Sequence, residues 1–313
     1  MESIKGERAV RKLWTALLAV VVLLLAGAPA RADVADPVTW PKPRFITYNV
    51  CGAACPDVYQ NDPAKWRDQL VSEVDAWSAD VVVLQELCHG QWDLLRTKLA
   101  GRYEAVWGAT LSSASGCAKW DATDTRFGLG IFVKGPAGTV VPGSRSVTML
   151  PKPDGTEQRA LLCAQAKVTG RQVRVCDTHL DPHDAVTPVH AAEVARLTGA
   201  YVDAGEPVLL AGDFNATPQE PALDALYNHS GGSGKYQEAD ENDADFCALP
   251  GGRCRTGAPT VEPLCSPKAT TATKIDYLFL SARDFRNVKG DAAPCTPGMS
   301  DHHLLRGAAE FEG

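Results

Sequence analysis

A carboxylate and a carboxamide lie just after a predicted buried strand in the middle of the chain. The segment PVLLAGDFNATPQEP, residues 207–221, begins with residues typical of a strand, turns at Gly212 and then presents Asp213 and Asn215. Because these two residues are two positions apart, both side chains can point to one side of an extended turn. A carboxylate and an amide suit a hard cation or a phosphate oxygen. An Asx turn between a strand and a helix explains the same pair equally well.

Groups of the same kind recur where other predicted strands end. Asn49 lies at the end of FITYNV, Glu86 near the end of DVVVLQEL and His179 near the end of RVCDTHL. Asp301 and His302 form a similar pair close to the C terminus. Because ligand sites in open α/β sheets lie where strands end, we expect these side chains to gather in one site.

These residue types together favour hydrolysis of a phosphate ester. The oxygen ligands, without a cluster rich in His or Cys, indicate Mg²⁺, with Mn²⁺ or Ca²⁺ as alternatives, rather than zinc. His179 and His302 supply acid–base capacity near neutral pH. A metal that polarises a phosphoryl oxygen, a water nucleophile and an acid for the leaving alcohol are the parts that such a hydrolysis needs.

Apolar runs that alternate with helical patterns predict an α/β fold. Strands are predicted at residues 45–50, 80–87, 103–107, 127–134, 159–168, 171–180, 208–211 and 274–281, with a short one after residue 304, and helices at 63–77, 91–99 and 187–203. Thr217 and Glu220 form a capping box around Pro218, which predicts a further helix after the strand that carries Asp213. The segment 227–273 is rich in Gly, Pro and Cys without periodicity, so we expect a functional or loosely ordered loop.

The first 32 residues resemble a secretory signal peptide. A basic start is followed by an apolar run at residues 14–26, too short to span a membrane comfortably, and by the small-residue cleavage site Ala30-Arg31-Ala32. An uncleaved anchor is the alternative. We therefore expect residues 33–313 to form a single domain of a secreted, extracellular protein that is monomeric and has no stable membrane insertion.

The charge balance argues against a broad basic surface for nucleic acid. The chain has 31 Lys and Arg residues against 38 Asp and Glu residues, a net charge of −7. A polyanionic substrate is still allowed, because a bound divalent cation changes the sign of the local field.

The ten cysteines all follow residue 32 and contain no CxxC pair, which in an exported protein favours disulfides over a metal cluster. The connectivity stays open at this point. Cys163 and Cys176 flank a predicted hairpin that turns at Thr169-Gly170, so they would lie opposite each other. The other natural pairs are Cys51–Cys55, Cys247–Cys254, Cys88–Cys117 and Cys265–Cys295.

Six motifs occur in the order of a known superfamily: TYNV, LQEL, THLD, GDFN, KIDYLFLS and SDHHLL. In these motifs the chain resembles, from about residue 45 to residue 311, the endonuclease/exonuclease/phosphatase superfamily, the fold of deoxyribonuclease I, bacterial sphingomyelinases and inositol polyphosphate 5-phosphatases. The resemblance implies a four-layer α/β sandwich, in which two mixed β-sheets pack face to face with flanking helices.

The resemblance also implies roles for single residues around the metal. Glu86 is similar to the principal metal ligand, with Asn49 as its neighbour and Asp301 completing the metal side. Asp213 resembles the residue that positions or deprotonates the attacking water. Asn215 would hold a phosphate oxygen.

A second group of residues is implied on the phosphate side. His302 resembles the histidine that faces the phosphate, and Asp276 the carboxylate that orients it. His179 matches a second histidine, a candidate general acid toward the leaving oxygen. Arg159 resembles an arginine that contacts the phosphate. His303 is expected to be a bystander.

The substrate is the least determined feature. We expect a phosphodiesterase acting on nucleic acid, with Arg126, Arg159, Arg253 and Arg255 as candidate groove residues. A small-molecule or inositol phosphatase is one alternative. A sphingomyelinase ranks lower, because residues 227–273 lack an apolar hairpin for entering a lipid surface. A secreted binding protein that kept the fold without turnover is the third. The segment FGLGIFVK departs from the family pattern, which leaves the substrate-side contact open.

Overall fold

Two six-stranded β-sheets form the centre of the fold. The structure is a computed structural model that describes residues 39–55, 62–241, 243, 245–247, 254–266, 268–296 and 298–313. The predicted signal peptide, residues 1–32, lies outside the described residues.

The described elements alternate strands with three α-helices. They are β1 (Arg44–Asn49), α1 (Pro63–Trp77), β2 (Val81–Cys88), α2 (His89–Lys98), β3 (Tyr103–Leu111), β4 (Phe127–Lys134), β5 (Ser146–Met149), β6 (Ala160–Val168), β7 (Arg171–His179), α3 (Thr187–Asp203), β8 (Val208–Asp213), β9 (Tyr236–Glu238), β10 (Asp276–Ser281), β11 (Phe285–Ala292) and β12 (Leu305–Phe311). The first sheet has the order β11-β12-β1-β2-β4-β3 and the second β5-β6-β7-β8-β10-β9. Both sheets are mixed, since β1 and β2 are parallel, as are β7 and β8, while their other neighbours are antiparallel.

Three apolar clusters define four layers. The central cluster lies between the sheets, where Val83 and Ile131 of the first sheet meet Leu162 and Leu209 of the second. On the outer face of the first sheet, Trp66, Leu70 and Trp77 of α1 pack over residues of β1 and β2. On the outer face of the second sheet, Val194 and Val202 of α3 pack against β8 and β10. This arrangement confirms the predicted sandwich.

The described helices are ordinary in length for a globular protein. Among the residues that the structure describes, no helix is both long enough and apolar enough to cross a membrane.

The second sheet has a close approach of two backbones beside the predicted site. Gly212 of β8 has φ +147°, and a Cβ added there would lie 1.9 Å from the carbonyl oxygen of Thr178 in β7. Only glycine therefore permits this contact between the strands. The contact lies one residue before Asp213, so it fixes the position of the Asp213 backbone relative to β7.

The predicted helix after Thr217 is wrong. One of the two capping-box bonds forms, because Glu220 Oε1 accepts from Thr217 N at 2.8 Å, and Thr217 Oγ1 donates to the same carboxylate oxygen at 2.9 Å. The chain nevertheless makes only a three-residue 3₁₀ turn, Pro221–Leu223. Pro221 explains the difference, since a proline inside an α-helix lacks the N–H donor and clashes with the carbonyl of the fourth residue before it.

All ten cysteines form disulfides, and the five expected pairs are confirmed. Cys163 and Cys176 are directly opposite each other in β6 and β7. The hairpin predicted from the sequence therefore identified this disulfide correctly.

Candidate active site

Three predicted site residues lie in one row across the second sheet. In the strand register, Asp213 of β8 is opposite His179 of β7 on one side and opposite Asp276 of β10 on the other. Asp213 and Asp276 are almost fully buried, and His179 is 6% exposed. Neighbouring residues in adjacent strands project on the same face, so the row brings two carboxylates and an imidazole together.

Asn49 connects this row to the first sheet. Its Nδ2 donates to Glu86 Oε1 at 3.1 Å and to Asp213 Oδ2 at 3.0 Å. Its Oδ1 accepts the backbone N–H of Cys51 at 3.0 Å, which fixes the orientation of the amide. Asn49 thus holds one carboxylate from each sheet with a single amide group.

Glu86 reaches the site because β2 is irregular at its end. The pairing of β2 with β4 shifts between Leu84 and Leu87, and Glu86 has φ +52°. Such a bulge re-aims a side chain and is common next to active sites. Burial raises the pKa of the Glu86 carboxyl, the hydrogen bond from Asn49 lowers it, and the charge of Asp301 raises it further.

Asp301 lies beside the Cys51–Cys55 disulfide, with its carboxylate within 4.8 Å of both sulfur atoms. Sulfur atoms in a disulfide are not thiolates, so these cysteines are not metal ligands. Besides burial, the charge of Asp301 raises the pKa of Glu86, whereas the charges of His302 and Arg159 lower it. The carboxylate oxygens of Glu86 and Asp301 suit a hard divalent cation. Asn49 turns its Nδ2 toward Glu86 and its Oδ1 toward the backbone N–H of Cys51, so its amide oxygen would join them through its second lone pair.

A second acidic cluster includes a histidine, which can carry a positive charge. Ligand atoms of Asp213, Asp276 and His302 lie within 4.8 Å of one another. His302 Nδ1 is 2.8 Å from Asp276 Oδ2, and His302 Nε2 is 3.7 Å from Asp213 Oδ2. Burial would lower the pKa of His302, but the charge and hydrogen bond of Asp276 outweigh it and raise the pKa to about 10. An imidazole between two carboxylates suits acid–base chemistry, and the same three side chains are also close enough together to hold a metal ion.

Asp213 is the carboxylate on which the donors converge. Burial raises its pKa to about 7, and the charge of Asp276 acts in the same direction. The nearby His302 and the hydrogen bond from Asn49 act in the opposite direction. A carboxyl with a pKa near the working pH is suited to accept a proton from water.

His179 differs from His302 in its charge state. Its Nδ1 is 2.7 Å from a guanidinium nitrogen of Arg159, which is a donor only, so Nδ1 accepts and the proton lies on Nε2. His179 Nε2 lies 3.4 Å from Asp213 Oδ2. Burial and the charge of Arg159 lower the pKa of His179 well below its ordinary value, which favours the neutral ring. Arg159 also pairs with Glu157 at 3.3 Å.

Asn215 lies on the turn that follows β8. Its φ is +49°, its backbone N–H donates to Asp213 Oδ1 at 2.9 Å, and its Nδ2 donates to the carbonyl of Leu180 at 3.0 Å. The first of these bonds is the Asx turn that was the alternative to a functional reading. The Asx turn is therefore part of the candidate site. The contact between Asn215 and a phosphate stays a prediction.

Sequence reasoning missed Ser300. Its hydroxyl donates to the carbonyl of Asn49 at 2.6 Å and accepts the backbone N–H of His302 at 3.1 Å. It therefore connects the backbone of Asn49 to that of His302. A serine two residues before His302 is a pattern of local side chain-to-backbone bonding, so a signal was present in the sequence.

Several expectations about charged residues need correction. Lys274 is a polar residue just before the apolar strand β10, a position that in sequence is typical of a solvated strand end. It is 4% exposed and lies 3.4 Å from both Glu238 and Asp240. Arg255, a candidate groove residue, is buried and pairs with Asp224. Arg253 lies outside the described residues.

Two other predictions about side chains near the site can be compared with the structure. Arg126 is 44% exposed but pairs with Asp124. His303 faces away from the site row, toward Glu262 and the carbonyl of Ala293.

Structures with this fold are known from several organisms. Bacteroides thetaiotaomicron mannosyl-6-phosphatase matches with a TM-score of 0.64 and 16% identity over 86% of this chain and 100% of that chain. The human Nocturnin catalytic domain with bound sulfate matches with a TM-score of 0.63 and 16% identity over 91% and 100%. D. rerio TDP2, complexed with a single-strand DNA product, matches with a TM-score of 0.60 and 17% identity over 86% and 98%.

Sequence comparison adds the family. A search of curated proteins gives no match. The sequence model of one family matches residues 46–302, which include every predicted site residue and most of both sheets. This chain therefore belongs to the Endonuclease/Exonuclease/phosphatase family.

Proposed function

We propose that this protein is a secreted, divalent-metal-dependent phosphodiesterase that hydrolyses nucleic acid. Members of its family are typically hydrolases acting on phosphate esters. The observation that carries the proposal is the convergence of Asn49, His179 and His302 on one oxygen of Asp213, at 3.0, 3.4 and 3.7 Å. In the proposed mechanism, these side chains supply a base, an acid and a phosphate-binding group around one space.

The cation would lie on the side of Glu86. Glu86, Asp301 and Asn49 would hold it, with Mg²⁺ as the ion we expect and Mn²⁺ or Ca²⁺ as alternatives. When bound, it would polarise a phosphoryl oxygen and offset the negative charge that develops there.

Asp213 would deprotonate the attacking water. With a pKa raised to about 7, it is partly ionised at neutral pH and becomes a stronger proton acceptor than an ordinary aspartate. The amide of Asn49 holds one of its oxygens and the backbone of Asn215 holds the other. The carboxylate is therefore kept in one orientation.

His302 would stabilise charge on the phosphate and carry the proton for the leaving oxygen. Its raised pKa keeps the ring protonated, and Asp276 holds Nδ1 so that Nε2–H points toward Asp213. His179, the candidate general acid by resemblance, has a lowered pKa. We propose that its neutral Nε2–H donates a hydrogen bond to a phosphate oxygen, with Arg159 fixing the tautomer.

A phosphatase acting on a small phosphomonoester is the second candidate. The burial of Arg255 removes one of the arginines expected to line a nucleic-acid groove. One structural neighbour is a mannosyl-6-phosphatase, whereas another was solved with a single-strand DNA product. Identities of 16–17% show the fold alone, so the substrate has to be measured.

We also propose that the protein acts outside the cell, as a monomer. Five disulfides support this, because disulfides persist in oxidising compartments.

A substrate panel tests the function. DNA, RNA, sphingomyelin, inositol phosphates and mannose 6-phosphate would each be assayed with Mg²⁺ and with EDTA. We expect Mg²⁺-dependent cleavage of DNA or RNA. Turnover of only the phosphomonoesters would select the phosphatase. The absence of metal-dependent turnover on every substrate would overturn the proposal and favour a binding protein.

A further inference from the structure

One threonine in the irregular segment, residues 227–273, bonds to the backbone of a site residue. Thr260 is fully buried, and its hydroxyl oxygen accepts the backbone N–H groups of Ile275 at 3.0 Å and of Asp276 at 3.1 Å. The strand β9 pairs with β10 at residues 279–281, so Ile275 and Asp276 lie beyond the end of that pairing. The Thr260 hydroxyl takes the place that a neighbouring strand would have.

The backbone of Thr260 bonds to the segment that contains His302. Its carbonyl accepts the N–H of His303 at 2.7 Å, and its N–H donates to the carbonyl of Thr273 at 2.9 Å. His303 directly follows His302. Thr260 therefore bonds to the chain at Asp276 and next to His302, the two residues whose side chains meet at 2.8 Å.

We propose that Thr260 is a positioning residue that sets the geometry of the Asp276–His302 pair. This inference rests on the proposed function of the same site. Asp276 Oδ2 contacts His302, but Asp276 Oδ1 is buried and has no hydrogen-bond partner among the residues that the structure describes. Apart from its contact with His302, the direction of this carboxylate is set by its backbone, which β8 holds on one side and Thr260 on the other.

The irregular segment holds Thr260 from both sides. Before it, Ala258 N donates to Asp240 Oδ2 at 2.7 Å, and Asp240 lies against the buried Lys274. After it, the Cys265–Cys295 disulfide ties the segment to the loop that precedes His302. The part of the chain with no recognisable pattern would therefore serve to brace the site.

Two substitutions at this position separate the hydroxyl from the shape of the side chain. Thr260→Val keeps the size and removes the acceptor, whereas Thr260→Ser keeps the acceptor. We expect Thr260→Val to lower kcat by about 10- to 100-fold with little change in KM, because small displacements of catalytic groups cost that much. Thr260→Ser should stay close to the wild-type kcat. Thr260→Ala serves as a second variant without the acceptor if Thr260→Val does not fold.

Thr198→Val is the matched control. Thr198 is also fully buried, and its hydroxyl bonds to the carbonyl of Val194 within α3, away from the site. It should lower Tm without changing kcat. A general loss of packing would affect both variants alike.

A double-mutant comparison tests whether Thr260 acts through Asp276. If it does, Thr260→Val should cause no further loss of kcat in an Asp276→Ala protein, since coupled residues are not additive. Full additivity, or a wild-type kcat in Thr260→Val, would overturn the positioning role and leave the proposed function standing.

A measurement without turnover keeps the two proposals apart. In the proton NMR spectrum, the Nδ1–H of His302 bonded to Asp276 should give a low-field signal that disappears in Asp276→Ala. It should shift or broaden in Thr260→Val but not in Thr198→Val. This result in a protein that hydrolyses none of the substrates would support the positioning role and reject the proposed function. An unchanged signal in Thr260→Val would reject the positioning role.

Discussion

The pKa values of Asp213 and His302 are both shifted upward. The shifts suit Asp213 to accept a proton and His302 to donate one. The pKa of Asp213 is raised to about 7 and that of His302 to about 10. The shared cause is Asp276, which lies beside both, whereas burial raises the pKa of Asp213 and by itself would lower that of His302. A negative charge on Asp276 favours the protonated form of each neighbour. The two residues are therefore tuned by a third that need not touch the substrate.

Removing either of these groups should abolish activity and leave the fold intact. We expect Asp213→Ala and His302→Ala each to lower kcat at least about 100-fold, the usual contribution of general acid–base catalysis. His183→Ala is the control, since the His183 side chain is 66% exposed. Steady-state kinetics and circular dichroism would be measured for all three. Near-normal turnover in either site variant would refute the assignment.

Asp177 gives a prediction about pH and stability. It is fully buried between the sheets and accepts from Gln85 Nε2 at 2.6 Å. Burial raises its pKa well above 3.8, so the folded protein binds a proton that the unfolded chain releases. The stability from this group is present below about pH 4 and is lost as pH rises toward the folded pKa.

Asp177→Asn should remove this pH dependence. The free energy of unfolding of the wild type, relative to that of the variant, should fall as the pH rises from about 4 toward the raised pKa of Asp177 in the folded protein. Urea denaturation at several pH values measures it. Parallel stability curves for the two proteins would contradict a raised pKa at Asp177.

The positions of single site residues were predictable where the residue lies at the end of a strand. Asn49, His179 and Asp213 each end a strand whose apolar pattern is clear, and their positions follow from the pattern. Thr260 has no such pattern, because it lies in a loop and acts through backbone atoms far away in sequence. No local signal distinguishes it from other threonines.

At the scale of elements, regular segments were predicted well and edge segments were not. The bounds of α1, β4 and α3 agree with the sequence pattern. The strands β5, β9 and β11 were missed. All three are short or partly exposed, and each lies at or next to an edge, so burial leaves a weaker alternation in their sequences.

Lys274 shows why an element end can mislead. In sequence it is a polar residue before an apolar strand, which is typical of a solvated position. The structure buries it against Glu238 and Asp240, which come from a segment more than thirty residues earlier. Only the pairing of β9 with β10 brings these groups together.

Replacing this lysine should destabilise the protein strongly. Lys274→Met leaves buried carboxylates without their cation, and we expect a loss of about 3–5 kcal/mol. Lys235→Met is the matched control, because Lys235 and its partner Asp203 are 41% and 68% exposed and such a surface pair contributes less than about 1 kcal/mol. Chemical denaturation compares the two. Equal losses would show that the buried cluster has no special role.

At the scale of the whole molecule, the site exists only when the two sheets are packed. Glu86 and Asn49 come from the first sheet, whereas His179, Asp213 and Asp276 come from the second. The hydrogen bond from Asn49 to Asp213 crosses between residues 164 positions apart. An unfolded chain cannot gather these groups, so a ligand of the site binds the native state alone.

Mg²⁺ should therefore stabilise the fold. At a free concentration of ten times Kd, binding contributes about 1.4 kcal/mol, which corresponds to a rise in Tm of about 2–3 °C for a domain of this size. Glu86→Gln and Asp301→Asn should lose this rise, because each removes a charged ligand. Asp203→Asn removes an exposed carboxylate away from the site and should keep it.

Differential scanning fluorimetry with EDTA and with Mg²⁺ measures these shifts independently of any substrate. A rise that persists in Glu86→Gln and Asp301→Asn would place the cation elsewhere. A rise lost in Asp213→Ala as well as in Glu86→Gln would extend the cation site to both sheets. A rise retained in Asp213→Ala would confine it to the first sheet and the loop before β12, and leave Asp213 free for proton transfer.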